Sequence, residues 1–148
     1  MTNDKYEGNN ILIFQNGILG FEDVKRYKLE PSDDDSPFYS LTAVDGHPSF
    51  VVCDPLWFVP DYTIPNLPGI DNAIERLAAD SAEDLRCLAI VNIPGTACDA
   101  TANLKAPVII NIKNNYADQF VLDDPDLLIK YRLFDNSPAY ENSRAEVE

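Results

Sequence analysis

The stretch Phe38-Tyr39-Ser40-Leu41-Thr42-Ala43-Val44-Asp45-Gly46-His47-Pro48-Ser49-Phe50-Val51-Val52-Cys53 decides the class of fold. Tyr39, Leu41 and Ala43 alternate with Phe38, Ser40, Thr42 and Val44, the two-residue period of a strand with two distinct faces. Asp45-Gly46 is a tight-turn signal, and the apolar run resumes from Phe50 to Cys53, so residues 38–53 are predicted to form a β-hairpin. Short runs of the same kind surround it. Upstream lie Asn10 to Phe14, the turn signal Asn16-Gly17, and Arg26 to Leu29. Downstream lie Leu85 to Ile93, Thr101 to Lys105, Val108 to Ile112 and Tyr116 to Leu122. Leu85, Cys87, Ala89, Val91 and Ile93 make one apolar face, and the other face carries Leu88 and Ile90, which predicts a central strand.

Between the hairpin and that central strand the pattern changes. Prolines 55, 60, 65 and 68 remove ladder donors, so this segment is expected to be irregular or at an edge. Trp57, Phe58 and Tyr62 make it too apolar for a free linker. Ile70, Ile74, Leu77 and Ala78 then share one helical face, with Asp71 as the expected cap. Asp124-Pro125-Asp126 resembles a helix start, and Leu127 to Phe134 fits either a short helix or an extended strand. The expected fold is mainly β, a small antiparallel β-barrel-like domain or curled sandwich with one or two short helices, one of them over an opening. Residues 10–135 form that domain, between a flexible N-terminal segment, 1–9, and an acidic flexible tail, 136–148.

Composition narrows the function. The 148 residues carry 11 Lys+Arg against 25 Asp+Glu, a formal charge of −14, with 45% hydrophobic residues. A chain of this length buries about 70% of its unfolded surface, enough for one core. The acidity disfavours direct nucleic-acid binding and anionic membrane surfaces, and makes a basic protein the electrostatic complement. The polar start Met1 to Glu7 is no secretory signal, and no apolar run is long enough to span a membrane. Cys53, Cys87 and Cys98 are odd in number and widely spaced, which suits a reducing cytoplasm.

Catalytic patterns are missing from the sequence. His47 stands alone in a turn, so a zinc hydrolase motif cannot be written and a triad would depend on that one residue. There is no nucleophile elbow, Walker loop or dinucleotide fingerprint. Gly17-Ile18-Leu19-Gly20 has the bare GxxG spacing of KH domains without the cations that hold phosphates. Asp33-Asp34-Asp35 and Asp123-Asp124 with Asp126 do not follow the EF-hand spacing and are expected to be solvated loops. No metal, cofactor or catalysis is expected. Aromatic and apolar residues beside acids remain: Phe21-Glu22-Asp23, and Leu56 to Val59 with Asp54, Asp61 and Tyr62. They either seal the ends of a barrel or form a contact surface of the kind rich in aromatic hot spots.

From Ile11 to Phe134 the sequence resembles the flagellar assembly factor FliW family. Asn16 to Glu22 resembles its G-[LI]-P-G-F-E element, with Leu19 where the family has proline. Phe50 to Pro55 resembles F-x-V-x-D-P, followed by Tyr62. Thr101 to Asn111 resembles T-x-N-L-x-A-P-[IV]-x-[IV]-N, and Gln119 to Leu122 resembles Q-x-V-L, with Asp118 in place of a small residue. Tyr131-Arg132-Leu133 fits the closing segment. The resemblance implies a β-barrel-like cytoplasmic protein, a monomer when free, that binds flagellin and antagonises the translational repressor CsrA. The alternative is an acidic scaffold for another protein. The expected contact residues are Phe21, Glu22, Phe58, Tyr62, Asn103 and Lys105. Alanine at Phe58 or Tyr62 is expected to weaken binding without unfolding the chain. Pro107 predicts a bend in the Thr101–Asn111 stretch. That bend is either purely architectural or leaves a backbone edge open to a partner segment.

Overall fold

The computed structural model describes residues 10–32 and 36–134, so the expectations for 1–9, Asp33 to Asp35 and the tail from 136 lie outside the described residues. Seven strands close a barrel: β1 (Ile11–Phe14), β2 (Arg26–Pro31), β3 (Phe38–Ala43), β4 (Ser49–Cys53), β5 (Leu85–Asn92), β6 (Thr101–Asn111) and β7 (Tyr116–Gln119). The helix α1 (Ile70–Arg76) lies between β4 and β5, and a last short strand, β8 (Tyr131–Arg132), pairs with the first part of β6. The expected hairpin forms, with Phe38 opposite Cys53 and Leu41 opposite Phe50. Strands β1 to β5 run antiparallel in sequence order, and β5–β6 and β6–β7 are antiparallel too. The seam that closes the ring is parallel, pairing Ile13 with Tyr116 and Phe14 with Ala117. These strands are far apart in the chain, so no hairpin turn dictates their relative direction.

Alternation sorts the apolar residues into two cores. Leu12, Phe14, Tyr27, Leu29, Leu41, Val52, Leu88, Val108, Ile110 and Ala117 fill the barrel. Leu85, Ala89, Val91, Ala102, Leu104 and Ile109 point outward from β5 and β6 and pack against Tyr62, Leu67, Ala73 and Leu77. This explains the two apolar faces of β5: one faces the barrel interior, and the other faces the proline-rich segment and helix. The helix therefore covers the outside of the β5–β6 wall and not an opening of the barrel. Its expected cap also differs. Gly69, at φ 77°, occupies the N-cap position without a side-chain cap, and Asp71 lies in the first turn, where its charge suits the helix dipole.

The two strands expected over 101–112 are one continuous strand carrying a wide bulge. Leu88 pairs with Val108 and Ile90 with Asn103, so Ala89 alone spans the gap opposite Leu104 to Pro107. Before the bulge, β6 carries β8 on its second edge; after it, β7 takes that edge. The strand expected over 116–122 stops as a ladder at Gln119. Asp124 does not start a helix: its Oδ1 accepts from the Asp126 N–H and its carbonyl accepts from Leu127, which closes a turn. Of the ambiguous stretch 127–134, only Tyr131–Arg132 is regular, and it is a strand.

Candidate functional site

The bulge in β6 uses all of its backbone hydrogen-bonding groups within the chain. The Leu104 N–H donates to the Leu128 carbonyl at 2.9 Å. The N–H groups of Lys105 and Ala106 both donate to Asn103 Oδ1, at 3.1 and 3.0 Å. Pro107 has no N–H to place. The four carbonyls accept in turn from Tyr62 Oη at 2.6 Å, Leu122 N at 2.7 Å, Gln119 Nε2 at 3.0 Å and Phe120 N at 3.0 Å. Buried backbone polar groups need such partners, and here each has one. The bend therefore leaves no backbone edge open to a partner segment, and the architectural reading of this stretch holds. The Lys105 ammonium is likewise engaged, donating to the carbonyls of Leu122 and Asp124 at 3.3 and 3.1 Å. Asn103 and Lys105 thus stand together beside Tyr62, with Asn103 Oδ1 and the Lys105 ammonium committed to the fold.

Asn111, the last residue of the same motif, is fully buried and donates through Nδ2 to the Leu77 carbonyl at 2.9 Å, capping the C-terminal end of α1. Asn114 donates to the same carbonyl at 3.1 Å. Sequence reasoning assigned Asn111 no task, because its acceptor lies in a helix thirty-four positions away in the chain.

The turn at residues 16–22 is joined to this region by Gln119. The Leu19 N–H donates to Gln119 Oε1 at 2.9 Å, and the other end of that amide serves the bulge at Ala106. Phe21 N donates to the Ile18 carbonyl across Leu19 and Gly20, with Gly20 at φ 90°, the arrangement a type II turn asks for. Proline suits the position of Leu19 in such a turn. Leucine keeps the geometry and supplies an N–H for Gln119 that proline lacks. Ile18 is buried, while Leu19, Phe21 and Glu22 are exposed, and the Phe21 ring packs edge-on to Phe50 at 5.6 Å between centroids. Hydrogen bonds from the backbone N–H of Gly20 and of Glu22 itself hold the exposed Glu22 carboxyl below the usual range.

Gly17 makes this turn possible, since its φ is 81° and an added Cβ would sit 2.8 Å from Glu22 Cα. Gly17→Ala should cost about 1–3 kcal/mol in urea unfolding and displace the Phe21–Glu22 tip. A substitution with no effect on the unfolding midpoint would show that the turn relaxes freely.

Beneath the turn lies Asp118, 0% exposed. Its carboxylate accepts from Asn16 N at 2.9 Å, from Asn16 Nδ2 at 3.1 Å and from Arg76 Nη2 at 3.2 Å. The Arg76 guanidinium also lies 4.6 Å from the centre of the Phe120 ring. Three separate segments meet at this carboxylate, and sequence alone showed only that a small residue had been replaced.

Phe58 and Tyr62 are not on the surface of the 16–22 turn. Phe58 is half-buried between Phe38 and Phe134, with centroids at 6.1 and 5.9 Å. Tyr62 is 5% exposed, and burial pushes its hydroxyl far above the usual range. Alanine at either position removes packed core surface, so it tests packing before any contact. Burial also raises the thiols of Cys53, to about 12, and Cys87, which leaves them poor nucleophiles. Cys98 and His47 are exposed. Among the described residues no group of three or more His, Cys, Asp or Glu side chains is placed to hold a metal, and no helix is long and apolar enough to cross a membrane. One cleft of about 400 Å³ opens beside the proline-rich segment, lined in part by Tyr39, Asp54, Leu56, Tyr62, Glu83 and Arg86.

The fold and these junctions match known proteins. A family model described as the FliW protein matches residues 1–133. The flagellar assembly factor FliW of Caldicellulosiruptor saccharolyticus is 40% identical over 128 residues, which cover 86% of this chain and 82% of that one. The one from Thermoanaerobacter pseudethanolicus is 38% identical over 143 residues, covering 94% and 93%. A crystal structure of the flagellar assembly factor FliW superposes with a TM-score of 0.74 at 32% identity, over 84% of this chain and 86% of that one. A barrel shared at that identity, together with a family match across nearly the whole described chain, places this protein in the FliW family of flagellar assembly factors.

Proposed function

We propose that this protein works in the cytoplasm by binding flagellin and antagonising the translational repressor CsrA, so that flagellin abundance sets flagellin translation, and that it does so by docking without catalysis. Family membership supports the flagellar role. The observation that carries the docking reading is the exposed tip at residues 19–22. There Leu19 and Phe21, 61% and 42% exposed, stand beside the Glu22 carboxylate on a base fixed by Gln119 and Asp118. A rigid apolar tip with an acid on it, in a chain of charge −14, suits a basic protein surface. An RNA-binding repressor must carry such a surface to hold phosphates.

Calorimetry with purified flagellin and with purified CsrA from the same host tests this reading. Binding to both is expected, and no heat with either at about 50 μM would sink it. The association rate with CsrA should fall steeply between low and high salt, because steering by exposed charge is screened over about 10 Å at 0.1 M. A flat salt response would remove the electrostatic part and leave the docking.

A further inference from the structure

The proline-rich excursion between β4 and β5 carries a second surface, independent of the 16–22 turn. Trp57, the sole tryptophan of the chain, is 61% exposed, and Leu56 beside it is 47% exposed. Both belong to the one-turn 3-10 helix Pro55–Trp57, whose start is capped by Asp54 Oδ1 accepting from Leu56 N at 3.1 Å. Proline at the first position and this cap hold the two side chains outward on a stiff base. Leu56 forms one wall of the cleft of about 400 Å³, whose other walls include Ile64, Pro65, Leu85 and Cys87. Trp57 follows Leu56 directly in this one-turn helix, so a large solvent-exposed indole is carried by the same segment that walls a largely apolar cleft, the composition of an interface centre and not of an ordinary surface.

The charges around the cleft select the occupant. Asp54 and Glu83 line it, and Asp61 stands exposed one residue before Tyr62. Arg86, the one cation on the lining among the described residues, donates through Nη1 to the carbonyls of Glu83 and Leu85 at 3.1 and 2.8 Å, which ties it to the wall. We infer that this cleft takes one large apolar side chain from a partner polypeptide segment, flanked by Lys or Arg residues that face Glu83 and the neighbouring aspartates, with Trp57 packed over it. This rests on the docking function proposed above and names a surface for CsrA, the partner whose RNA-binding role requires a basic face.

The single tryptophan supplies the readout. CsrA is titrated into the wild-type protein while Trp57 emission is followed, and the Trp57→Phe variant gives the partner's own signal for subtraction. A blue shift or quenching that saturates is expected, with Trp57→Ala weakening CsrA binding about tenfold or more in calorimetry. Glu83→Gln is expected to weaken it less and to flatten its salt dependence. Trp57 is mostly exposed, so thermal melting of Trp57→Ala should stay close to wild type, and Trp57→Phe should retain most of the affinity. Binding of CsrA with no change in Trp57 emission and undiminished affinity in Trp57→Ala would overturn this site while leaving the proposed function intact. A Trp57 response to flagellin and none to CsrA would overturn the basic-segment assignment. Failure of both partners to bind the wild-type chain would overturn the proposed function and this inference with it.

Discussion

Arg76→Leu is expected to lower the unfolding free energy by about 3–5 kcal/mol, towards the lower end of that range. The reason is Asp118. Its carboxylate is fully buried, and Arg76 is its only ion-pair partner among the described residues. Leucine fills much of the arginine's volume but leaves the charge without its countercharge in a low-dielectric setting. Asn16 still donates two hydrogen bonds to that carboxylate, which softens the loss. For a chain of this size the melting temperature should fall by roughly 6–12 °C. The double variant Arg76→Leu with Asp118→Ala should recover part of the loss, because no buried charge remains. A drop below about 1 kcal/mol in the single variant would show that water or rearrangement solvates the carboxylate and that the pair contributes little.

Asn103→Ala should produce the second large effect, about 2–4 kcal/mol, from two N–H groups that lose their acceptor. Those donors are Lys105 and Ala106 in the bulge, and Asn103 Oδ1 is what they share. The consequence extends past stability. The bulge anchors Phe120, Leu122 and Leu128 through their backbones, so amide exchange should rise along that strap as well as at 104–107. Asn103→Asp keeps an acceptor oxygen in place and should behave much more mildly. Equal losses in the alanine and aspartate variants would mean that the amide acts through its donor end and not through Oδ1.

The fold was largely legible because its signals are local. Strict alternation in 38–53 and the Asp-Gly turn signal lead to one hairpin, and the structure has it. The double-faced pattern of β5 correctly announced burial on both sides, but not that one side is the barrel interior and the other a layer of proline-rich chain and helix. A helical stripe shows that a face is buried without showing against what, so the sequence is silent on whether α1 covers an opening or the β5–β6 wall. Pro107 and Asn103 are bend signals that divide the 101–112 stretch in sequence, yet a wide bulge lets one strand pass through both. Among the expected contact residues, Phe21 and Glu22 stand exposed on a turn, while Tyr62, Asn103 and Lys105 form an internal junction and Phe58 is packed among aromatics. An aromatic beside an acid looks the same in sequence whether it seals a core or meets a partner.

The strand-rich class, the hairpin over 38–53, the acidity and the family are all readable from the chain alone, because each depends on neighbouring residues or on ordered short patterns. Tertiary structure alone decided the parallel closing seam, the meeting of Asn16, Arg76 and Asp118, and the span of Gln119 from turn to bulge. Hydrogen bonds and charge pairs of that kind act over about 3 Å in space and are indifferent to separation along the chain. Only the folded path brings such groups within reach of one another.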